Sequence, residues 1–409
     1  MKGFLLGMLL FTLDTSAQSN NTIVIGKIDT FHSKILDEKR RIWIHLPGNG
    51  NAPYFNAQRY PVVYLLDGDT HFASVTGMIQ QLSEMNGNTL IPQMILVGIP
   101  NTYRIRDLTP TRGEGNAYVD SAAIVSAGGG ERFTEFLEKE LIPRIDSMYP
   151  TAPYRMLIGH SLGGLMVINT LVHHQHLFNA YLAIDPSMWW DDQKLLRQAE
   201  ATLAREQFKG KTLFLAVANT MPPHMDTAQV RTDTTATTLH IRSILRLSDA
   251  LKKNRDNGLR WEYKYYDGDG HGSVPLIAEY DAFRRIFDYY NYPVNNLFDS
   301  SLSAKAAVDA IADHYKNITE QMGYANLPPE FPMNGLGYGF LQRKMTEKAE
   351  AFFKLNTENY PKSNNAFDSM GDFYRTMGDK KKAIEAYRRS LSLKESFDTR
   401  SKLVELEGK

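Results

Sequence analysis

The chain has 409 residues, too many for one ordinary domain of about 100–200 residues but suited to an α/β domain with a smaller module. Apolar residues make up 43% of the chain and charged residues 22%, a balance that argues against disorder and against several membrane spans. The 46 basic and 46 acidic side chains give no net charge, so the charge does not indicate nucleic acid or an anionic membrane as a partner. The chain has no cysteine, which excludes disulfides, thiolate metal sites and a cysteine nucleophile.

The N-terminal segment has the pattern of a cleaved secretory signal. Lys2 precedes an apolar run from Phe4 to Leu13, and small residues follow as far as Ala17. The run is about ten residues long, whereas a transmembrane helix needs roughly 20, and no later stretch is apolar enough to span a bilayer. We therefore predict a signal peptide at residues 1–17 and a periplasmic or secreted protein. Asp14 fits the pattern poorly, and a buried first strand is the alternative.

Short β-rich runs then alternate with helical segments as far as about Pro293. From Glu131 to Met148, for example, apolar residues recur at helical spacing. Such alternation predicts a mostly parallel sheet with helices on both faces. The predicted strands are Arg41–Leu46, Pro61–Leu66, Met94–Gly98, Tyr154–Ile158, Ala180–Ile184, Thr212–Ala218 and Arg260–Tyr266.

From about Met333 the pattern is helical only and contains a 34-residue repeat that resembles tetratricopeptide repeats. Two repeats fall short of the three that are normally stable, so we expect the helical segment Leu302–Gly323 to complete the stack. We predict an all-helical region at 300–409, with the repeats at about 330–409, that either caps the α/β domain or binds a protein partner. The repeated positions are Gly337, Phe340, Ala349, Phe353 and Pro361, followed by Gly371, Tyr374, Ala383, Tyr387 and Glu395, of which the last pair differs in type.

The segment Arg155–Leu165 carries the pattern expected of a catalytic serine. A hydrophobic strand runs into Gly159-His160-Ser161-Leu162-Gly163, and a helix follows. The G-x-S-x-G pattern alone is weak, but between a strand and a helix it predicts a nucleophile elbow, in which the glycines leave room for a strained turn that exposes the serine hydroxyl. The alternative is a glycine-rich turn with an incidental serine.

With these motifs the chain resembles a family of esterases within the α/β-hydrolases, which holds siderophore, feruloyl and acetylxylan esterases and, more distantly, S-formylglutathione hydrolase and mycolyltransferases. The resemblance implies an α/β-hydrolase domain at 22–295, an acyl-enzyme on the serine and no cofactor. The segments that carry it, in order, are YLLDGDTHF (64–72), VGIPNTYRIRDLTPT (97–111), GHSLGG (159–164), DPSMWW (185–190) and DGHGSVP (269–275).

The serine needs a base, and the resemblance places a histidine after the last strand, where His271 follows a glycine-rich turn. The acid that orients this histidine is expected in the loop after Thr212–Ala218. Asp226 is the nearest carboxylate there, and we predict it as the third member of the triad. A serine–histidine dyad is possible instead, and three further aspartates could supply the acid: Asp233, Asp249 and Asp185.

The oxyanion of an acyl-transfer intermediate needs two backbone donors. One is expected to be the N–H of Leu162, directly after the nucleophile, and by resemblance the other is the N–H of Asp69. Two further residues are predicted to contact substrate. Arg104 suits a carboxylate or phenolic oxygen, and Trp189 offers a flat apolar wall. The respective alternatives are an ion pair with Asp107 that fixes the loop, and ordinary core packing.

No metal site is predicted, because His173, His174 and His176 crowd one helix end without the i, i+4 spacing and carboxylate of helical metal sites. The predicted function is hydrolysis of a small or medium ester of the siderophore, feruloyl or acetyl-sugar type. An acyltransferase with the same acyl-enzyme and a catalytically silent scaffold that uses its repeats are the alternatives.

Overall fold

The computed structural model describes residues 22–50, 59–113 and 124–408. Its centre is an eight-stranded sheet in the order β1-β2-β4-β3-β5-β6-β7-β8. The first two strands form an antiparallel hairpin, β2 pairs antiparallel with β4, and all later pairs are parallel. The strands are β1 Lys27–Ser33, β2 Glu38–His45, β3 Tyr60–Leu66, β4 Ile95–Ile99, β5 Thr151–His160, β6 Ala180–Ile184, β7 Thr212–Ala218 and β8 Arg260–Tyr266.

Helices cover both faces of this sheet. The helices are α1 Gly68–Ser83, α2 Arg104–Asp107, α3 Gly130–Phe136, α4 Ile142–Met148, α5 Leu162–His173, α6 Trp190–Arg205, α7 Thr227–Thr232, α8 Leu239–Lys253, α9 Val274–Ile286, α10 Ala304–Met322, α11 Glu330–Gln342, α12 Thr346–Asn359, α13 Asn364–Thr376, α14 Lys380–Leu393 and α15 Phe397–Glu407. One core contains residues of α3, α5, α6 and α8, and the other contains residues of α1, α9 and α10. The central strands β3, β4 and β6 are buried along their whole length, as expected of parallel strands between two helical layers.

This architecture is an α/β-hydrolase fold followed by a helical region, which confirms the predicted fold class. All seven predicted strands are present, and the missed strand is β1, which is largely exposed and so has no buried apolar run. The helix predicted over 131–148 is divided by a π-helical segment, Leu137–Leu141, just before Pro143. Proline lacks the N–H that an α-helix would use there.

The C-terminal helices pair at the predicted 34-residue interval, since α11 begins at Glu330 and α13 at Asn364. In each pair the repeated glycine lies against an aromatic ring of the second helix: Gly337 against Phe353, and Gly371 against Tyr387. The tetratricopeptide assignment and a partner for these helices stay predictions.

The predicted helix at 302–323 is α10, and it belongs to two cores. Its Ile318 and Met322 pack on the sheet, whereas Ala307 and Ile311 pack with the repeat helices. The division at 295–300 therefore stays a proposal. The predicted signal, 1–17, lies outside the described residues. None of the helices in the described ranges is long and apolar enough to cross a membrane.

The glycine contact in α11 can be tested by adding one methyl group. In Gly337→Ala the new Cβ would lie 2.8 Å from the buried Phe353 ring, and we expect the free energy of unfolding to fall by about 1–2 kcal/mol because overpacking outweighs the gain in helix propensity. Gly335→Ala, in the same helix, meets nothing within 4 Å and should be neutral or stabilising. Thermal or urea unfolding measures both. Equal effects of the two variants would contradict the packing argument.

Candidate active site

Ser161 occupies the turn between β5 and α5 with φ 58° and ψ −115°, a conformation that few non-glycine residues adopt. The glycines around it make this turn possible. A Cβ on Gly159 would clash with the backbone of Gly163, and one on Gly164 would lie 3.0 Å from the carbonyl oxygen of Ile184. This is the geometry of a nucleophile elbow.

The Ser161 side chain is partly exposed, and its Oγ lies 3.2 Å from Oγ of Ser187. The N–H of Ser187 also donates to the carbonyl oxygen of Ser161, at 3.0 Å. Among the described residues Ser161 makes no hydrogen bond with His271. Catalytic hydrogen bonds often tighten only in the complex with substrate, so the lack of this bond does not argue against the pair. Sequence analysis did not single out Ser187.

His271 lies in the turn between β8 and α9, as predicted, and its side chain is 41% exposed. Its Nδ1 is 2.6 Å from Oδ2 of Asp185. The turn is held to the end of β7 by Asn219, whose backbone N–H donates to the carbonyl oxygen of Asp269 at 2.8 Å and whose side-chain amide donates to that of Asp267 at 3.0 Å. The base candidate therefore meets its carboxylate at the carboxyl ends of the strands.

The carboxylate beside His271 is Asp185, so the structure does not bring the predicted acid, Asp226, to the base candidate. Asp226 is the N-cap of α7, where its Oδ1 accepts the N–H groups of Ala228 and Gln229 at 2.8 Å. Two further aspartates considered for the acid also have partners elsewhere: Asp233 accepts the hydroxyl of Thr238, and Asp249 pairs with Arg231. The aspartate that pairs with His271 follows β6, one strand earlier than the acid was expected.

Asp185 is fully buried and accepts three hydrogen bonds. Oδ1 accepts the N–H of Ala218 at 3.0 Å, and Oδ2 accepts from His271 and from Nε2 of His240, at 2.6 and 2.8 Å. Burial alone would raise the pKa of Asp185, but the hydrogen bonds from the two histidines outweigh it and hold the pKa well below its usual range. The carboxylate is therefore ionised and requires a proton on Nδ1 of His271, which leaves Nε2 free to accept one.

Three possible metal ligands meet here, because ligand atoms of Asp185, His240 and His271 lie within 4.8 Å of one another. The nitrogen–oxygen separations are too short for a shared zinc ion. Two ligands about 2.0–2.1 Å from a tetrahedral zinc ion lie about 3.3 Å apart. Separations of 2.6 and 2.8 Å fit shared protons instead.

At the helix end with crowded histidines, His174 and His176 lie 3.1 and 2.8 Å from Glu131 and Glu138.

His160 lies beside the base, with its ring centroid 4.5 Å from that of His271. Burial, with a smaller contribution from His271, lowers the pKa of His160 to about 4. Its Nε2 is buried without a hydrogen-bond partner among the described residues. His160 is thus neutral near pH 7 and places no second positive charge against the imidazolium that His271 would form.

The two predicted oxyanion donors lie at the start of helices. Leu162 is the first residue of α5 and Asp69 the second residue of α1, positions at which backbone N–H groups have no intrahelical acceptor. These helices follow β5 and β3, which are neighbours in the sheet. A Cβ on Gly163 would lie 3.1 Å from Oδ2 of Asp67, so the two helix starts are in close contact. The arrangement is compatible with a shared oxyanion site.

Arg104 holds the start of α1 in place through an ion pair with Asp67. Its Nε and Nη2 donate to the two carboxylate oxygens of Asp67, at 2.6 and 2.9 Å. Asp67 adopts a left-handed conformation, φ 52°, as the N-cap of α1. Burial alone would raise the pKa of Asp67, but Arg104 outweighs it and lowers the pKa. Arg104 therefore forms a loop-fixing ion pair with Asp67 and not with Asp107, and its contact with substrate stays a prediction.

Removing this pair should destabilise the protein. In Arg104→Ala the Asp67 carboxylate, 7% exposed, loses its cation, and we expect the free energy of unfolding to fall by about 2–3 kcal/mol. The folded-state pKa of Asp67 lies below its ordinary 3.8, so the difference from wild type is present above about pH 4 and vanishes as pH falls through the lowered value. Urea unfolding between pH 3 and pH 7 measures it.

A surface pair supplies the control for that experiment. Arg197 is 52% exposed beside Asp192, so Arg197→Ala should change stability by less than about 0.5 kcal/mol at every pH. A difference between Arg104→Ala and wild type that did not shrink at low pH would contradict the electrostatic argument.

Trp189 does not form the wall of an open pocket. Its side chain is 6% exposed and belongs to the core, 5.8 Å from the ring of Trp190. Trp190 is also buried and donates its Nε1–H to the carbonyl oxygen of Thr111 at 2.9 Å. The structure corrects the prediction for Trp189 in favour of core packing.

Comparisons with known proteins show which family this chain resembles. The model of the family described as "Putative esterase" matches residues 33–271. Ferri-bacillibactin esterase BesA of Bacillus subtilis is 28% identical over 238 residues, which cover 54% of this chain and 76% of BesA. A siderophore triacetylfusarinine C esterase of Aspergillus fumigatus is 29% identical over 153 residues, which cover 34% of this chain and 49% of that enzyme. An IroE-like serine hydrolase from Shewanella oneidensis, a solved structure, superposes with a TM-score of 0.69 at 32% identity, covering 81% of this chain and 99% of that one.

Proposed function

Because this chain belongs to the esterase family whose model spans residues 33–271, and is therefore an ester-hydrolysing enzyme, we propose that it is a serine carboxylester hydrolase with an acyl-enzyme on Ser161. The observation that carries this proposal is the pairing of His271 with the buried, ionised Asp185 beside the nucleophile elbow. This arrangement supplies the nucleophile, the base and the carboxylate that acyl transfer needs.

In the first half-reaction, Oγ of Ser161 attacks the ester carbonyl while Nε2 of His271 takes the hydroxyl proton. The N–H groups of Leu162 and Asp69 stabilise the oxyanion, and His271 returns the proton to the departing alcohol. In the second half-reaction His271 takes a proton from water, whose oxygen attacks the acyl carbon. His271 then returns this proton to Oγ of Ser161 as the bond between Oγ and the acyl carbon breaks, which releases the acid and restores the free serine. Asp185 remains ionised and stabilises the imidazolium in both steps.

We propose a siderophore-type ester as the substrate, in preference to feruloyl or acetyl-sugar esters. Two relatives of this chain carry names that state such a substrate: ferri-bacillibactin for BesA and triacetylfusarinine C for the Aspergillus fumigatus enzyme.

A substrate panel tests the proposal directly. The purified protein is incubated with a tricatecholate trilactone, a feruloyl sugar ester and an acetylated sugar, and the released acids are measured by chromatography. A fluorophosphonate probe measures serine reactivity in parallel. We expect labelling, and fastest hydrolysis of the trilactone. Labelling with faster cleavage of another ester would change the substrate class, and transfer of the acyl group to an added alcohol in preference to water would favour the acyltransferase. Failure of both labelling and hydrolysis would refute the proposed mechanism.

A further inference from the structure

A second histidine contacts the acid of the proposed triad. Nε2 of His240 lies 2.8 Å from Oδ2 of Asp185, the same oxygen that lies 2.6 Å from Nδ1 of His271. The rings of His240 and His271 are nearly perpendicular, with centroids 5.1 Å apart. The His240 side chain is only 12% exposed. One carboxylate oxygen thus bridges two imidazoles.

His240 reaches this oxygen from the first turn of α8, a helix that sequence analysis did not connect with the site. The other polar atoms of the carboxylate region are occupied, because Oδ1 of Asp185 accepts the N–H of Ala218 and the backbone N–H of Asp185 donates to Ala216. His240 therefore completes the hydrogen bonding of a fully buried charge. Without it, one of the three donors that hold the carboxylate in place would be missing.

We propose that His240 is a positioning residue that orients Asp185 and, by sharing its Oδ2, weakens the interaction of this carboxylate with His271. The inference rests on the proposed function. An oxygen that already accepts one N–H has less charge to offer a second donor. Since the proton on Nδ1 of His271 faces this oxygen, Asp185 stabilises the imidazolium of His271 less than an unshared carboxylate would.

Besides His240, two titratable groups lie beside His271. Asp185 faces both imidazoles, and His160 faces His271 from the elbow. Three basic side chains of α7 and α8 are paired with carboxylates. These pairs are Arg242 with Asp233, Arg246 with Glu200 and Arg231 with Asp249.

The test is the pH dependence of kcat/KM for ester hydrolysis, whose acid limb reports ionisation in the free enzyme. His240→Met keeps the length of the side chain and removes the donor, so the acid limb should move upward by about 0.5–1 pH unit. His240→Gln places an amide N–H near the position of Nε2 and should restore the wild-type limb. His240→Asn is polar but too short to reach Oδ2, and it should shift the limb as His240→Met does.

The controls separate this role from simple support of the fold. A purely structural role would lower the plateau of kcat/KM or the melting temperature and leave the acid limb in place. His176→Met removes an exposed histidine beside Glu138 and should leave the profile unchanged. Superimposable normalised profiles for wild type, His240→Met and His240→Asn would overturn the inference while the proposed function stood. Full activity in Ser161→Ala would instead overturn the proposed function itself.

Discussion

Ser161→Ala is expected to abolish labelling by a fluorophosphonate probe and to lower kcat for ester hydrolysis by about 10⁵-fold or more. The alanine keeps the strained turn but has no oxygen to form the acyl-enzyme, and the remaining His271 and oxyanion donors cannot replace a nucleophile. Gel fluorescence measures the labelling, and single-turnover hydrolysis of an aryl ester measures the rate. The melting temperature should stay close to that of wild type because the hydroxyl is partly exposed.

Ser187 provides a matched control, since its hydroxyl lies 3.2 Å from that of Ser161. Ser187→Ala removes a hydrogen bond to the nucleophile but not the nucleophile, so labelling should persist and the rate should fall by no more than about tenfold. If the probe labelled Ser161→Ala and failed to label Ser187→Ala, the nucleophile would be Ser187 and the elbow assignment would be wrong.

Sequence analysis favoured Ser161 and His271 but not Asp185, because the residues that position the first two lie close to them in the chain. The environment of Ser161 is local, because a strand, two glycines and a helix within eleven residues define the turn. His271 was also accessible to sequence analysis, since a glycine-rich turn follows the last strand of the sheet. Both positions depend mainly on neighbours in the chain.

The position of the proposed acid, Asp185, depends on contacts between distant segments, and no local sequence pattern indicates them. Asp185 and His271 are 86 positions apart, and Asp185 and His240 are 55 apart. Asp226 was attractive because it follows β7, but it begins a helix six residues long, and a carboxylate at an N-cap is used by the helix itself. The capping box, with Gln229 three positions later, is a signal in the sequence that could have argued against a catalytic role.

The position of Asp185, directly after β6, is a weaker indication that it could be the acid. Asp185 has φ 42°, a left-handed conformation that aspartate adopts more readily than most residues, and this bend turns its side chain off the end of β6 toward β7. An aspartate directly after a buried strand is compatible with such a bend. The sequence alone could not show that β7 would supply the N–H of Ala218 to hold the carboxylate there.

Asp185→Asn is therefore expected to lower kcat by about 10³–10⁴-fold while the fold is retained. The amide oxygen would keep the hydrogen bond from Ala218, so the amide nitrogen would face His271 and His240, which both require an acceptor. His271 would then move its proton to Nε2, where it can no longer accept the proton of Ser161. The labelling rate with the fluorophosphonate probe should fall in parallel with kcat.

Asp226→Asn tests the same chemistry at the position that sequence analysis favoured. Asparagine is a good N-cap, so α7 should keep its start, and kcat should stay within about twofold of wild type. Because both variants change one carboxylate to an amide, their comparison isolates position from charge. A large loss in Asp226→Asn with a near-normal rate in Asp185→Asn would return the acid to the loop after β7. Large losses in both would mean that the loop carrying Asp226 also shapes the site, since within the part of the chain that the structure describes its carboxylate accepts hydrogen bonds at the start of α7.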